Sequence, residues 1–344
     1  MTQKASQKIK SLMGLLISIG LLIWLGYSFK LKEIVGSIQA ANYLFLLPIP
    51  VLLLLNFVVR AMRWQSLFLD STPMKLGQVF RSLMVGYLFN NLLPVRAGEF
   101  IKIHMLGRLG HLSRGTVLGS VVIEKVADLL IMLILLSLIL IYYPVPVWAE
   151  RAGWVIGMVG LLTLAVIIAT MLIGEKLTTI VVAKLSFFSI ATIKRIESVS
   201  SAFVQGISGL FHRVRFFRFI FYSGVIWALE IGMVYLTAQA FSLSVSFSDA
   251  LLVLIIISVG TMVPSSPGYV GTYEFFGVAA LALLNITGPV ALAFVISLHA
   301  LMLLGSSIIG WACLATRPLK EKLELQPDRI KEDLLIVPPS AVQE

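Results

Sequence analysis

The chain has 344 residues, 58% of them hydrophobic and only 13% charged, with a mean hydropathy of +0.97 and a formal net charge of +10. A soluble domain of this length needs far more polar surface, so composition excludes one. The basic excess does not describe a nucleic-acid-binding face either. Lysines and arginines fall in the gaps between apolar runs, where they set topology and meet anionic headgroups. Cys313 is the sole cysteine, which excludes an internal disulfide framework and a cysteine zinc cluster. The four histidines, His104, His111, His212 and His299, show no paired ligand spacing, so no metal and no cofactor is expected.

Apolar runs of roughly 18 to 25 residues recur, the length that crosses a hydrocarbon core of about 30 Å. Lys4, Lys8 and Lys10 precede the first of them. That run is too long for a cleaved signal peptide, and no good cleavage site follows, so it reads as a retained signal anchor. Full spans are predicted at about 11–29, 43–60, 117–142, 153–173, 217–241 and 289–314. Arg60-Ala61-Met62-Arg63-Trp64 closes the second span and reads as snorkelling arginines beside an interfacial tryptophan.

Two further apolar regions are interrupted. The region 78–112 is broken by Asn90-Asn91-Leu92-Leu93-Pro94-Val95-Arg96-Ala97-Gly98-Glu99, and 250–284 by Pro264-Ser265-Ser266-Pro267-Gly268-Tyr269-Val270-Gly271. The arms beside these breaks are short for a span at about 1.5 Å per residue. Lipid cannot satisfy the backbone groups freed at a break, so the breaks are expected to be buried in protein or to line a wet cavity. The sequence therefore predicts two re-entrant helical hairpins; the alternative is that every arm crosses fully, since two extra crossings leave the topology unchanged.

Basic residues dominate the N-terminal tail, the 60–81 connection, the 174–218 connection and the tail after Arg317, and are scarce near 143–152, 242–249 and 285–288. Both termini are accordingly expected in the cytoplasm, in a multi-pass protein of the cell (inner or plasma) membrane. The order span, span, hairpin, span then repeats with opposite orientation, the outline of an inverted-topology repeat. The fold class is thus an all-α polytopic membrane protein with about six full transmembrane helices and two re-entrant hairpins. It forms one transmembrane domain over 1–316, with halves at about 11–145 and 150–316, and a short cytoplasmic tail at 317–344. The 174–218 connection, with phenylalanines among its basic residues, reads equally as an amphipathic helix on the inner leaflet or a solvated basic loop.

Ionisable groups inside a span are costly and mark candidate sites. Asn90, Asn91, Arg96 and Glu99 flank the first break, where exposed backbone N–H groups and a guanidinium suit a phosphate. Glu124 and Asp128 lie four apart on one helical face, fitted to a proton or a cation, or to an ion pair with Arg96 or Arg63; Lys125 points elsewhere. Gly268 and Gly271 permit close approach of the second break to a ligand, and Glu274 follows them. Under the repeat, Glu99 and Glu274 are expected to approach each other. Glu230 is a further intramembrane acid without an evident partner.

The run from Gly86 to Glu99 resembles the signature of flippase-like membrane proteins related to the transmembrane region of lysylphosphatidylglycerol synthases. So do Arg60–Trp64, Glu124-Lys125-Val126-Ala127-Asp128 and the run from Pro264 to Glu274, and the likeness covers about 10–316. Lys125 stands where that pattern leads us to expect arginine. The resemblance implies movement of a lipid with a polar headgroup between leaflets. Without a soluble aminoacyl-transferase domain, the chain is expected to make no lysyl-lipid, and to be no enzyme. The expected partners are membrane lipids with a phosphate-bearing or cationic headgroup; a homo-oligomer remains open. A secondary transporter of a small solute, and a membrane-embedded transferase acting on a polyprenyl-linked sugar, are the competing readings.

Overall fold

The computed structural model describes residues 30–68, 74–93, 96–140, 143, 213–262 and 266–316, with isolated helical positions at 20, 151, 154, 158, 161, 162 and 165. All regular structure among these residues is helical. The expected spans at 11–29 and 153–173, most of the 174–218 connection and the tail from 317 lie outside them, apart from those isolated positions.

The helices are α1 (Leu31–Gln39), α2 (Ile49–Gln65), α3 (Leu76–Leu92), α4 (Gly98–Leu109), α5 (Arg114–Leu140), α6 (Arg213–Ala240), α7 (Phe247–Gly260), α8 (Thr272–Leu283) and α9 (Pro289–Ala315). Three stretches are long and apolar enough to cross a membrane: Tyr43–Gln65, Val214–Ala240 and Pro289–Ala315. Helix α5 is as long as α9, but it carries Glu124, Lys125 and Asp128 near its middle. Large apolar side chains stand exposed along single faces: Val51 and Leu55 on α2, Phe217 and Phe221 on α6, Leu304, Ile308 and Trp311 on α9. Spacings of three and four residues make these continuous stripes, and such stripes demand an apolar surrounding.

Each interrupted region folds back on itself. In α3–α4, Gln78 Nε2 donates to Leu109 O at 3.2 Å across the open end. Near the closed end the helices touch backbone to backbone. A Cβ on Gly98 would collide with Gly86 O and stand 2.7 Å from Asn90 N, so only glycine allows this approach. In α7–α8 the helices meet where Gly260 packs on Phe276. Ser246 opens α7 with a capping box, its N–H donating to Asp249 Oδ2 at 2.7 Å while its Oγ accepts from Asp249 N–H. At about 1.5 Å per residue, α4 and α8 are each about 18 Å long, well short of a hydrocarbon core.

The two hairpins open at opposite ends of the bundle. Gln65 Nε2 donates to Met74 O at 2.6 Å, which sets the start of α3 beside the end of α2. Asn42 N–H donates to Ala240 O at 2.8 Å, which sets the α6–α7 connection beside the start of α2. One buried apolar cluster joins α5, α6, α7, α8 and α9, with Val253, Ile255, Phe294 and Leu298 at its centre. A second joins α2, α3, α4 and α5 around Trp64, Leu83 and Val117.

Candidate functional site

The first group of polar residues is assembled around Arg63, in the last turns of α2. It is fully buried, and its guanidinium forks between two helices. Nη1 donates to Asp128 Oδ1 at 2.5 Å and to Ser223 Oγ at 3.1 Å; Nη2 donates to Asp128 Oδ2 and Glu124 Oε1, both at 3.1 Å. The ring of Phe219 covers it, 5.1 Å away. Arg63 thus does not snorkel to an interface. Trp64 is buried as well and donates through Nε1 to Ser120 Oγ at 3.0 Å. The interfacial reading of this run is corrected by packing: α5 and α6 close over it. Arg60, one turn earlier, pairs with Glu230 of α6 and donates to Asn56 Oδ1, which gives that acid its partner.

The network continues into the first hairpin. Lys102 of α4 is buried, with Nζ 2.8 Å from Glu99 Oε2 and 3.6 Å from Glu124 Oε2, and it lies over the Trp64 ring. Lys125 Nζ stands 3.4 Å from Glu99 Oε1, so it faces the hairpin rather than pointing away from it. Asn90 Nδ2 is 3.4 Å from the same oxygen. Asp128, Arg63, Glu124, Lys102, Glu99 and Lys125 therefore alternate in sign along a chain, three carboxylates against three cations. Alternation is what lets so many charges leave water together, since each buried charge has an opposite neighbour.

The second break carries three backbone positions with positive φ: Gly268 (φ 65°), Tyr269 (φ 61°) and, beyond Val270, Gly271 (φ 92°). Glu274 Oε2 accepts from Gly271 N–H at 2.6 Å and so closes the first turn of α8. Its Oε1 lies 2.6 Å from His299 Nδ1, while His299 Nε2 lies 2.9 Å from Gly268 O. Tyr273 stacks on the imidazole at 4.1 Å between ring centres.

The two breaks meet. Arg96, itself at φ 52°, donates through Nη2 to Thr261 O at 2.7 Å and lies 5.3 Å from the Tyr269 ring centre. Asn91 reaches α9, where its Nδ2 donates to Ser306 Oγ and Ser307 Oγ at 2.9 Å. Gly268 sits over Asn91 O. Asn90, Asn91 and Arg96 thus take three different directions, toward Glu99, α9 and the second break, and do not converge on one anion. Glu99 and Glu274 likewise take different partners, Lys102 with Lys125 in one case and His299 in the other. Glu124 and Asp128 share Arg63, one of the two ion-pair partners expected for them.

The sequence reading did not single out Arg63, Lys102 or His299 as site residues. Lys102 was visible as the i+3 neighbour of Glu99 on one helical face. His299 was visible as a lone ionisable residue in the middle of the last span.

A helical chain with lipid-length apolar helices, apolar stripes facing outward and its charges paired inside is an integral membrane protein. A family model described as the lysylphosphatidylglycerol synthase TM region matches residues 11–310, and the chain belongs to that family. It is similar to a UPF0104 membrane protein of Methanothermobacter thermautotrophicus, 26% identical over 260 residues that cover 70% of this chain and 76% of that protein. A UPF0104 membrane protein of Methanocaldococcus jannaschii is 21% identical over 314 residues, 88% of this chain and 93% of that one. No solved structure matches.

Proposed function

We propose that this protein moves a lipid with a phosphate-bearing or cationic headgroup between leaflets, through a polar path where the two broken hairpins meet. The observation that carries the reading is the junction itself. Two short hairpins opening at opposite ends of the bundle touch through Arg96, Asn91 and Gly268. A charge-balanced buried network runs beside them. In a membrane, irregular backbone of this kind belongs where it is covered by protein or lines a hydrated path. Hairpins that enter from opposite sides are the arrangement of inverted-repeat transporters, which bind their cargo near the midplane. On this reading both hairpins are re-entrant, the protein has six full spans, and both termini are cytoplasmic.

Arg96 is exposed and planar, and it offers the phosphate contact. Glu99, beside it at the head of α4, offers a carboxylate to a cationic group when Lys125 swings away; Lys125 is half exposed and held at 3.4 Å, so it is the loosest member of the network. Asn90, Glu124, Asp128, Gly271 and Glu274 hold the walls of the path in place.

The test is headgroup-resolved translocation in liposomes containing the purified protein, with anionic, zwitterionic and lysyl-bearing lipids presented separately. Protein-dependent movement of at least one class is expected. Rates equal to protein-free liposomes for every class, with uptake of a small solute instead, would replace lipid by solute as the cargo.

A further inference from the structure

The acids of the first group are all matched by fixed cations. Glu274 is matched only by a group that can lose its charge. Its partner His299 has a defined hydrogen-bonding requirement: Gly268 O can only accept, so His299 Nε2, 2.9 Å away, carries a proton. That leaves Nδ1 facing Glu274 Oε1 at 2.6 Å. Two such atoms are held at that distance by a proton between them, on the nitrogen as imidazolium with carboxylate or on the oxygen as acid with neutral imidazole. Without it the neutral imidazole has one N–H for two acceptors, Glu274 Oε1 and Gly268 O, so one of the two contacts sets lone pair against lone pair and opens.

We propose that Glu274 and His299 form a proton-binding site whose occupancy sets the conformation of the second break, making the proton the ion coupled to transport. Both side chains are buried, at 7% and 6% exposure, so a change in their charge is not absorbed by water. Both are tied directly to the break, Glu274 through Gly271 N–H and His299 through Gly268 O. Opening the contact therefore pulls on two positions that already hold positive φ. Tyr273 keeps the ring in plane by stacking on it, with its hydroxyl directed to Met302 Sδ at 3.7 Å.

Charged groups on the surrounding helices leave this couple to itself. Arg60 of α2 and Glu230 of α6 pair with each other, and Arg63 holds Glu124 and Asp128. Arg96 is turned onto Thr261 O and the Tyr269 ring. Asp249 accepts from Tyr143 and from Ser246 at the far end of α7. Lys32 and Glu33 of α1 are exposed, and Arg81 of α3 lies almost three turns before Asn91.

The coupling half of this inference rests on the translocation reading; the proton site does not. Infrared pH titration of the reconstituted protein reads the site without any transport. A carboxyl–imidazole signal is expected to titrate in the unaltered protein and to vanish in both Glu274→Gln and His299→Gln. A couple that neither gains nor loses a proton wherever the unaltered protein stays folded overturns the site, whatever the variants do. Liposomes holding a pH-sensitive dye under a lipid gradient read the coupling. Lipid-driven proton movement is expected, falling to the protein-free level in His299→Gln. Lipid movement without protons overturns the coupling and leaves translocation standing. A titrating couple with no lipid movement overturns translocation and leaves the site standing.

Discussion

Arg63 has five N–H donors and holds four oxygens, on Asp128, Glu124 and Ser223. A lysine there keeps the charge but cannot fork to two carboxylates at once. Arg63→Ala leaves two carboxylates facing an empty site, and breaking a buried pair from one side costs about 3–5 kcal/mol. The expected result is a marked loss of folded protein on heating in detergent for Arg63→Ala and a smaller one for Arg63→Lys. Unchanged melting for both would mean that the network adds nothing to stability. Glu99→Gln is expected to be milder, since Lys102 keeps Glu124 at 3.6 Å. The acids of this network were legible in the sequence because a carboxylate in an apolar run is costly. Of their cations, Arg63 was one of two partners expected for Glu124 and Asp128, whereas the bridging role of Lys102 was not read. Arg63 and Lys102 reach partners about sixty and twenty residues away, and nothing local reports which helices close over them.

The hairpins depend on close approach of backbones, and Gly98 is where that is tightest. Gly98→Ala drives a methyl into Gly86 O, and overpacking of this kind costs about 1–3 kcal/mol. Gly224 of α6 has nothing within 4 Å of the same position, so Gly224→Ala is expected to be neutral or to stabilise, alanine being about 0.8–1.0 kcal/mol the better helix former. Thermal melting of the two variants in parallel checks this; equal behaviour would contradict the packing described for α3 and α4. The breaks themselves were legible, because proline, glycine and paired asparagines stand out in apolar sequence. How they meet was not. Reading the repeat by symmetry set Glu99 against Glu274, whereas the junction is made by Arg96 reaching Thr261 O and by Asn91 beneath Gly268. Side-chain direction at a break follows its dihedral angles, and three residues with positive φ there redirect the chain in a way that hydropathy does not encode.

Across the bundle, the proposed orientation rests on the distribution of basic residues, with the first hairpin entering from the cytoplasm and the second from outside. In a cysteine-free background made by Cys313→Ser, a cysteine at Thr287, between α8 and α9, is expected to be labelled in intact cells. One at Ser113, between α4 and α5, is expected to require permeabilisation. The reverse pattern would invert the topology, and labelling of both in intact cells would contradict the odd number of crossings expected between them.

The account turns on the junction of the breaks being the path of the headgroup. The direct measurement is headgroup translocation per folded molecule for Arg96→Lys against the unaltered protein. Lysine keeps the charge and loses the planar fork, and a charge-assisted bond of about 1.5–3 kcal/mol corresponds to roughly ten- to more than a hundredfold weaker binding. Because Arg96 is exposed, melting is expected to hold while translocation falls by that order under subsaturating lipid. Translocation at the unaltered rate, with the variant fully folded, would contradict the claim that the headgroup passes Arg96.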